Sequence, residues 1–151
     1  YGRSMKQLER LMALDVGARR IGVALGDNEV KLASPAEAVE NDGQALAEIC
    51  RLVINHRIKT VVVGLPRNAE GLETKQSEYC RQFADDLEDT MSVSSIRGVE
   101  VVFQDESLTS VQAEAMLRRD KKHFKEQMLR DGTLDSQAAV VILTDYLGGV
   151  K

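Results

Sequence analysis

A chain of 151 residues, 43% apolar and 29% charged, has the length of one domain and the composition of a folded globular protein, which excludes disorder as the default. No apolar run approaches the roughly 18 residues that cross a bilayer, no signal-peptide pattern opens the chain, and Cys50 and Cys80 are too few for a disulfide framework or a zinc site. A soluble protein that binds no membrane is expected, in the cytoplasm, or in an organelle stroma or matrix if Tyr1–Ser4, ahead of Met5, is the stub of a targeting segment and not an added remnant.

Residues 1–10 read as an extension, and residues 11–151 as the single domain. Leu11–Asp27, LMALDVGARRIGVALGD, is two apolar runs joined across Gly17, the pattern of a β-hairpin. Asp15 stands at the end of the first run. Burying an unpaired carboxylate in an apolar strand is expensive, so the acid needs a reason. It is either turn chemistry, Asp-x-Gly, or a group delivered to a site. Gly17, Gly22 and Gly26 fall where a side chain would obstruct close approach, and Gly17 and Gly22 would leave room for a phosphate backbone.

Val30–Ala33 is expected as a short third strand, completing three antiparallel strands. Asp42–His56 carries Ala45, Leu46, Ile49, Leu52 and Val53 at helical spacing. The β-branched run Thr60–Val63 has no polar face and fits a central parallel strand covered on both sides. Gly64-Leu65-Pro66-Arg67 ends it, in the loop position where α/β sheets usually bind ligands. A helix over Glu73–Glu88 should pack through Tyr79, Cys80, Phe83, Ala84 and Leu87, with Asp89–Gly98 as a surface loop. Val99–Phe103 is a further strand running into Asp105 and Glu106. Thr109-x-x-Gln112 fits a capping box at the start of another helix. From Asp135 a run apolar on most sides predicts a buried helix stopped by Gly148-Gly149, with Asp135 either its cap or a functional acid.

The net charge is −4, but Arg118–Arg130 holds six basic residues (Arg118, Arg119, Lys121, Lys122, Lys125, Arg130) against two acidic ones, a local +4. Local fields decide where a polyanion docks, so this stretch is either a solvated charged segment or a phosphate-binding one. Three acids follow or open elements in a way that could bring them to one sheet rim: Asp15, Glu106 (with Asp105 competing) and Asp135. Without a cation they would repel one another. Mg²⁺ or Mn²⁺, hard ions that prefer carboxylate oxygens, would relieve this, and two such ions can activate a water and stabilise the leaving oxygen of a phosphodiester. His56 and His123 each stand alone and are not expected as ligands. With six aromatics and no Trp, backbone and shape recognition should outweigh base stacking.

The blocks ALDVGARRIGVALGD, VVVGLPRNAEG, VFQDESLTSVQAEAML and DSQAAVVILTDYL together resemble the YqgF/RuvX family, over about Leu11–Leu147. The resemblance implies an RNase H-like α/β fold: a central mixed five-stranded sheet, its first three strands antiparallel, with helices on both faces. It implies a metal-dependent nuclease with Asp15, Glu106 and Asp135 as catalytic residues and ligands of two Mg²⁺ or Mn²⁺ ions. It also implies a role in maturing the small-subunit rRNA precursor, on ribosomal particles, with Holliday-junction cleavage as the other assignment. A junction enzyme would work as a homodimer, whereas RNA-end trimming needs only a monomer. Gly17, Arg19, Arg20, Arg67, Lys75, Arg118, Arg119, Lys121 and Lys122 are the expected substrate contacts. One departure stands out. The family usually has Asp-Glu-Arg where this chain has Asp105-Glu106-Ser107, so a guanidinium beside the second acid is missing; either activity is weaker or Arg19, Arg20 or Arg67 supplies the charge. Two other classes compete: a nucleotide-binding module of the actin and sugar-kinase type, against which the single-domain length counts, and a nucleic-acid-binding relative without cleavage.

Overall fold

The structure, a computed structural model, describes residues 8–106 and 134–149. In chain order the elements are β1 (Arg10–Val16), β2 (Arg20–Asp27), β3 (Ser34–Glu40), α1 (Ala45–Asn55), β4 (Ile58–Leu65), α2 (Lys75–Val93), β5 (Glu100–Asp105), a single 3-10 turn (Leu134–Ser136) and α3 (Gln137–Gly149). The five strands form one sheet in the order β3-β2-β1-β4-β5. β1, β2 and β3 pair antiparallel, while β4 runs parallel to β1 and β5 parallel to β4. The carboxyl ends of β1, β4 and β5 therefore share one rim.

Alternation along the strands splits the core into two layers. Met12, Leu14, Val16, Val61 and Val63 pack with α1 and α2 on one face. Leu11, Ala13, Ala24 and Val62 pack with Ala139, Ile142, Leu143 and Leu147 of α3 on the other. The fold is the expected mixed five-stranded α/β sheet with helices on both faces, and Cys50 and Cys80 are buried free thiols in α1 and α2.

Three boundaries differ from the sequence reading. The third strand is Ser34–Glu40, not Val30–Ala33. Asp27 explains the shift: its Oδ1 accepts from the N–H groups of Glu29 (2.9 Å) and Val30 (2.7 Å), and Lys31 turns back with φ 62°. That side-chain turn exposes Val30 and Leu32, whose apolar character had suggested a strand. The edge strand itself is mostly exposed and needs few apolar residues. α2 continues to Val93, well into the stretch expected as loop, because Met91 extends the buried stripe of Cys80, Phe83, Ala84 and Leu87 by another turn. Tyr79, expected on that stripe, is 42% exposed. Gly148 and Gly149 lie inside the last turn of α3. The helix expected from Thr109 and the basic stretch Arg118–Arg130 lie outside the described residues.

Candidate functional site

Asp15 is the next-to-last residue of β1 and pairs across the hairpin with Gly22 of β2. On its other side, the Leu14 to Val63 pairing with β4 is followed on each strand by Asp15 and Gly64. A glycine thus flanks Asp15 on both neighbouring strands, and each one's missing side chain makes room for part of another acidic residue. A Cβ on Gly64 would stand 2.8 Å from Oε2 of Glu106 and 2.4 Å from Cδ1 of Ile142. A Cβ on Gly22 would stand 2.2 Å from the backbone carbonyl oxygen of Asp135. The space at Gly22 is therefore filled by the chain's own last segment and not left open for a phosphate backbone, as the sequence reading had it. At Gly17 the Arg20 carbonyl occupies the corresponding space and accepts the Gly17 N–H at 3.0 Å, which closes the hairpin turn.

The Asp15 carboxylate stands close enough to those of Glu106 and Asp135 for their charges to interact. Burial raises Asp15, and Asp135 raises it further. Glu106, at the end of β5 with its N–H donated to the Leu65 carbonyl at 3.2 Å, is pushed up to about 7 by burial and then by Asp15. Neither side chain has a hydrogen bond or ion pair among the described residues. Beneath them the Cys80 thiol is driven to about 12 by burial and by both carboxylates. Asp135 differs in being exposed and held at 3.5 Å by Arg20, whose Nε also meets Glu40 at 3.2 Å. Among the described residues, no three His, Cys, Asp or Glu side chains are drawn together tightly enough to hold an ion as they stand. The donor chemistry nonetheless suits one, since Asp15 and Glu106 are half-buried acids with no cation among the described residues to offset them.

The remaining expected site residues divide by position. Asp105, the competing second acid, is exposed and pairs with Arg67 at 3.0 Å. Arg67 also donates to the Gly71 carbonyl at 3.2 Å and lies 3.8 Å from Glu73, so it holds the β4–α2 loop together. Arg19 and Lys75 are exposed near the same rim, on the hairpin turn and at the first position of α2. Arg118, Arg119, Lys121 and Lys122 lie outside the described residues. Sequence reasoning missed the groups that hold the turn after Asp15. Gln76 donates to the Val16 carbonyl at 2.9 Å, and Asn41 donates to the Gly17 carbonyl at 2.7 Å and contacts the Tyr79 hydroxyl at 2.8 Å. It also missed the buried hydroxyl of Ser136. Nothing local in the sequence marks a partner tens of residues away.

Residues 9–149 match the family model described as RuvX, Holliday junction resolvase. A relative from Sulfurihydrogenibium sp., named "Putative pre-16S rRNA nuclease", is 35% identical over 93% of this chain and 90% of its own length. One of the same name from Chloroflexus aurantiacus is 40% identical over 91% and 85%. Among solved structures, the fowlpox virus Holliday junction resolvase superposes with a TM-score of 0.55 at 10% identity, covering 92% of this chain and 97% of that one. Thermus thermophilus RuvC in complex with a Holliday junction substrate gives 0.53 at 18%, covering 92% and 93%. At these identities the likeness to the solved structures is one of fold.

Proposed function

The chain belongs to the RuvX family, and we propose that it is a metal-dependent nuclease that processes the 5′ end of the 16S rRNA precursor. The observation that carries this reading is Asp15 at one sheet rim within charge–charge range of both Glu106 and Asp135, with Asp15 and Glu106 raised by burial and like charge and offset by no cation among the described residues. Those three residues would hold Mg²⁺ or Mn²⁺, two ions on the pattern of phosphodiester hydrolases. When bound, the ions supply an activated water and stabilise charge at the scissile phosphate.

The chain's own groups arrange what surrounds that chemistry. Asp15 stands on a strand buried on both faces, so its carboxylate is fixed by the core and not by a loop. Gln76 and Asn41 hold the two carbonyls that follow it. Arg19, Arg20, Lys75 and the turn at Gly17 border the rim where a phosphate backbone would run, and Arg118, Arg119, Lys121 and Lys122 add basic charge 13 to 17 positions before Asp135 in the sequence. Arg67 serves the same site from its place on Asp105. We take residues 11–151 as one nuclease domain, whose first strand begins one residue earlier, at Arg10. The RNA assignment is favoured over junction DNA because relatives at 35 and 40% identity carry the rRNA nuclease name, whereas the junction enzymes share the fold at 10 and 18%.

The test is cleavage of a 5′-extended 16S precursor RNA and of a four-way DNA junction, with Mg²⁺ or Mn²⁺ and with excess chelator. The expected result is metal-dependent cleavage of the RNA that Asp15→Asn lowers at least about a hundredfold while the variant stays folded. Equal cleavage in chelator overturns the metal chemistry, and cleavage of the junction in preference to the RNA overturns the choice of substrate.

A further inference from the structure

β2 and β3 pair out of step. Ile21 faces Val39 but Val23 faces Ala36, so β3 carries one residue more than β2 between these two rungs. At the second rung the strands are joined through a side chain from far along the chain. The Val23 N–H donates to Oγ of Ser136 at 2.9 Å, and the Ser136 hydroxyl donates to the Ala36 carbonyl at 2.7 Å. Val23 and Ala36 are directly opposed, so this hydroxyl fills the place of their ladder hydrogen bond. Ser136 is fully buried, which makes both bonds expensive to lose.

The residue just before it is Asp135, whose backbone carbonyl packs where Gly22 lacks a side chain. Gly22 is the register partner of Asp15. The Ser136 hydroxyl, the carbonyl of Asp135, Gly22 and Asp15 therefore form one continuous connection from the last segment of the chain to the first strand. The exposed ion pair of Asp135 with Arg20, at 3.5 Å, is a weak tether by comparison.

We propose that Ser136 is a positioning residue of the nuclease reaction: by taking the place of a rung between β2 and β3, its hydroxyl fixes the peptide that carries Asp135 against Gly22, and so sets where the third carboxylate stands relative to Asp15. This rests on the reading that Asp15, Glu106 and Asp135 bind divalent ions. A merely structural serine would anchor α3 on the sheet and show itself in stability alone.

The experiment is a double-mutant cycle on the full chain, with wild type, Ser136→Ala, Asp135→Asn and the double variant. Mn²⁺ affinity is measured by calorimetric titration, melting temperature is recorded without metal, and kcat and KM are measured on the precursor RNA at saturating Mn²⁺. Ser136→Ala is expected to weaken Mn²⁺ binding about tenfold in the wild-type background and less than about twofold when Asp135 is already Asn, and to lower kcat about tenfold with KM nearly constant. If Ser136→Ala does not fold, Ser136→Cys, which fills the same space with a weaker donor, goes through the same cycle. A lower melting temperature with Mn²⁺ affinity and kcat unchanged overturns the proposal, as does an equal loss of affinity in both backgrounds. Wild-type protein that neither binds Mn²⁺ nor cleaves overturns the nuclease reading itself, and this proposal with it.

Discussion

Asp105 and Glu106 are adjacent acids with opposite surroundings. Asp105 is exposed and paired with Arg67, while Glu106 is half-buried against Asp15 with its carboxyl pushed up to about 7. A carboxyl that titrates near 7 when folded and near 4.5 when unfolded binds its proton more tightly in the folded chain. Its ionisation therefore opposes folding progressively as pH rises through that window. Glu106→Gln removes the opposition, so its melting temperature without metal should exceed that of wild type by a margin that is small near pH 4.5 and complete above pH 7. Thermal melts across that range check it, and Mg²⁺ added at pH 8 should narrow the margin by stabilising wild type alone. The glycines beside Asp15 make a second residue-scale prediction. At Gly64 a Cβ meets the ends of two side chains, whereas at Gly22 it meets backbone. Gly64→Ala should cost about 1–3 kcal/mol in denaturant unfolding, and Gly22→Ala should cost more, since a peptide group cannot rotate aside. The sequence left Glu106 and Asp105 in competition because composition cannot say which of two neighbours faces inward; in the structure Asp105 is exposed on Arg67 and Glu106 is half-buried.

The elements that the sequence made legible are those with an apolar period of their own. The hairpin, the buried run of β4 and the apolar helix α3 each carry their burial pattern locally, so their identity could be read directly. β3 carries none, and a carboxylate cap at Asp27 overrode the apolar look of Val30–Ala33. Ser77 and Ser136 were invisible for another reason. Each is a fully buried hydroxyl with a partner outside its own element: Ser77, which also accepts from the Thr74 N–H in the cap of α2, donates to the Pro66 carbonyl, and Ser136 joins β2 to β3. The loop between β4 and α2 shows how such contacts organise an element. Arg67 joins Asp105, the Gly71 carbonyl and Glu73, and Arg81 then grips Glu73 at 2.6 and 2.8 Å while lying 5.0 Å over the Phe103 ring. Arg67→Met should keep the aliphatic packing but release the loop. Amide hydrogen exchange over residues 68–73 is expected to quicken while α1 and β1 stay protected, with a global loss of about 1 kcal/mol because the bridged acids are partly exposed.

At the scale of the whole molecule, the charge is unevenly distributed in a way that suits a polyanionic substrate. The described rim gathers three acids, and the chain carries a net −4, so a phosphate backbone would be repelled if the total alone governed approach. Arg118–Arg130 offsets this with six basic residues, beginning seventeen positions before Asp135 in the sequence. If that stretch supplies the phosphate contacts, binding is driven largely by counterion release and loses affinity steeply with salt, by a slope of roughly 0.7 per phosphate on single strands and 0.9 on duplex. Replacing Arg118, Arg119, Lys121 and Lys122 together by Gln should therefore make the log–log salt dependence shallower by about 3. It should weaken RNA and DNA alike, because phosphate contacts carry no sequence information. Mn²⁺ affinity should stay at the wild-type value, since the carboxylates are untouched. Binding titrations at several salt concentrations with an uncleavable RNA read the slope directly. An unchanged slope would move the phosphate contacts to Arg19, Arg20 and Lys75 on the described rim, where single substitutions can then be measured in the same way.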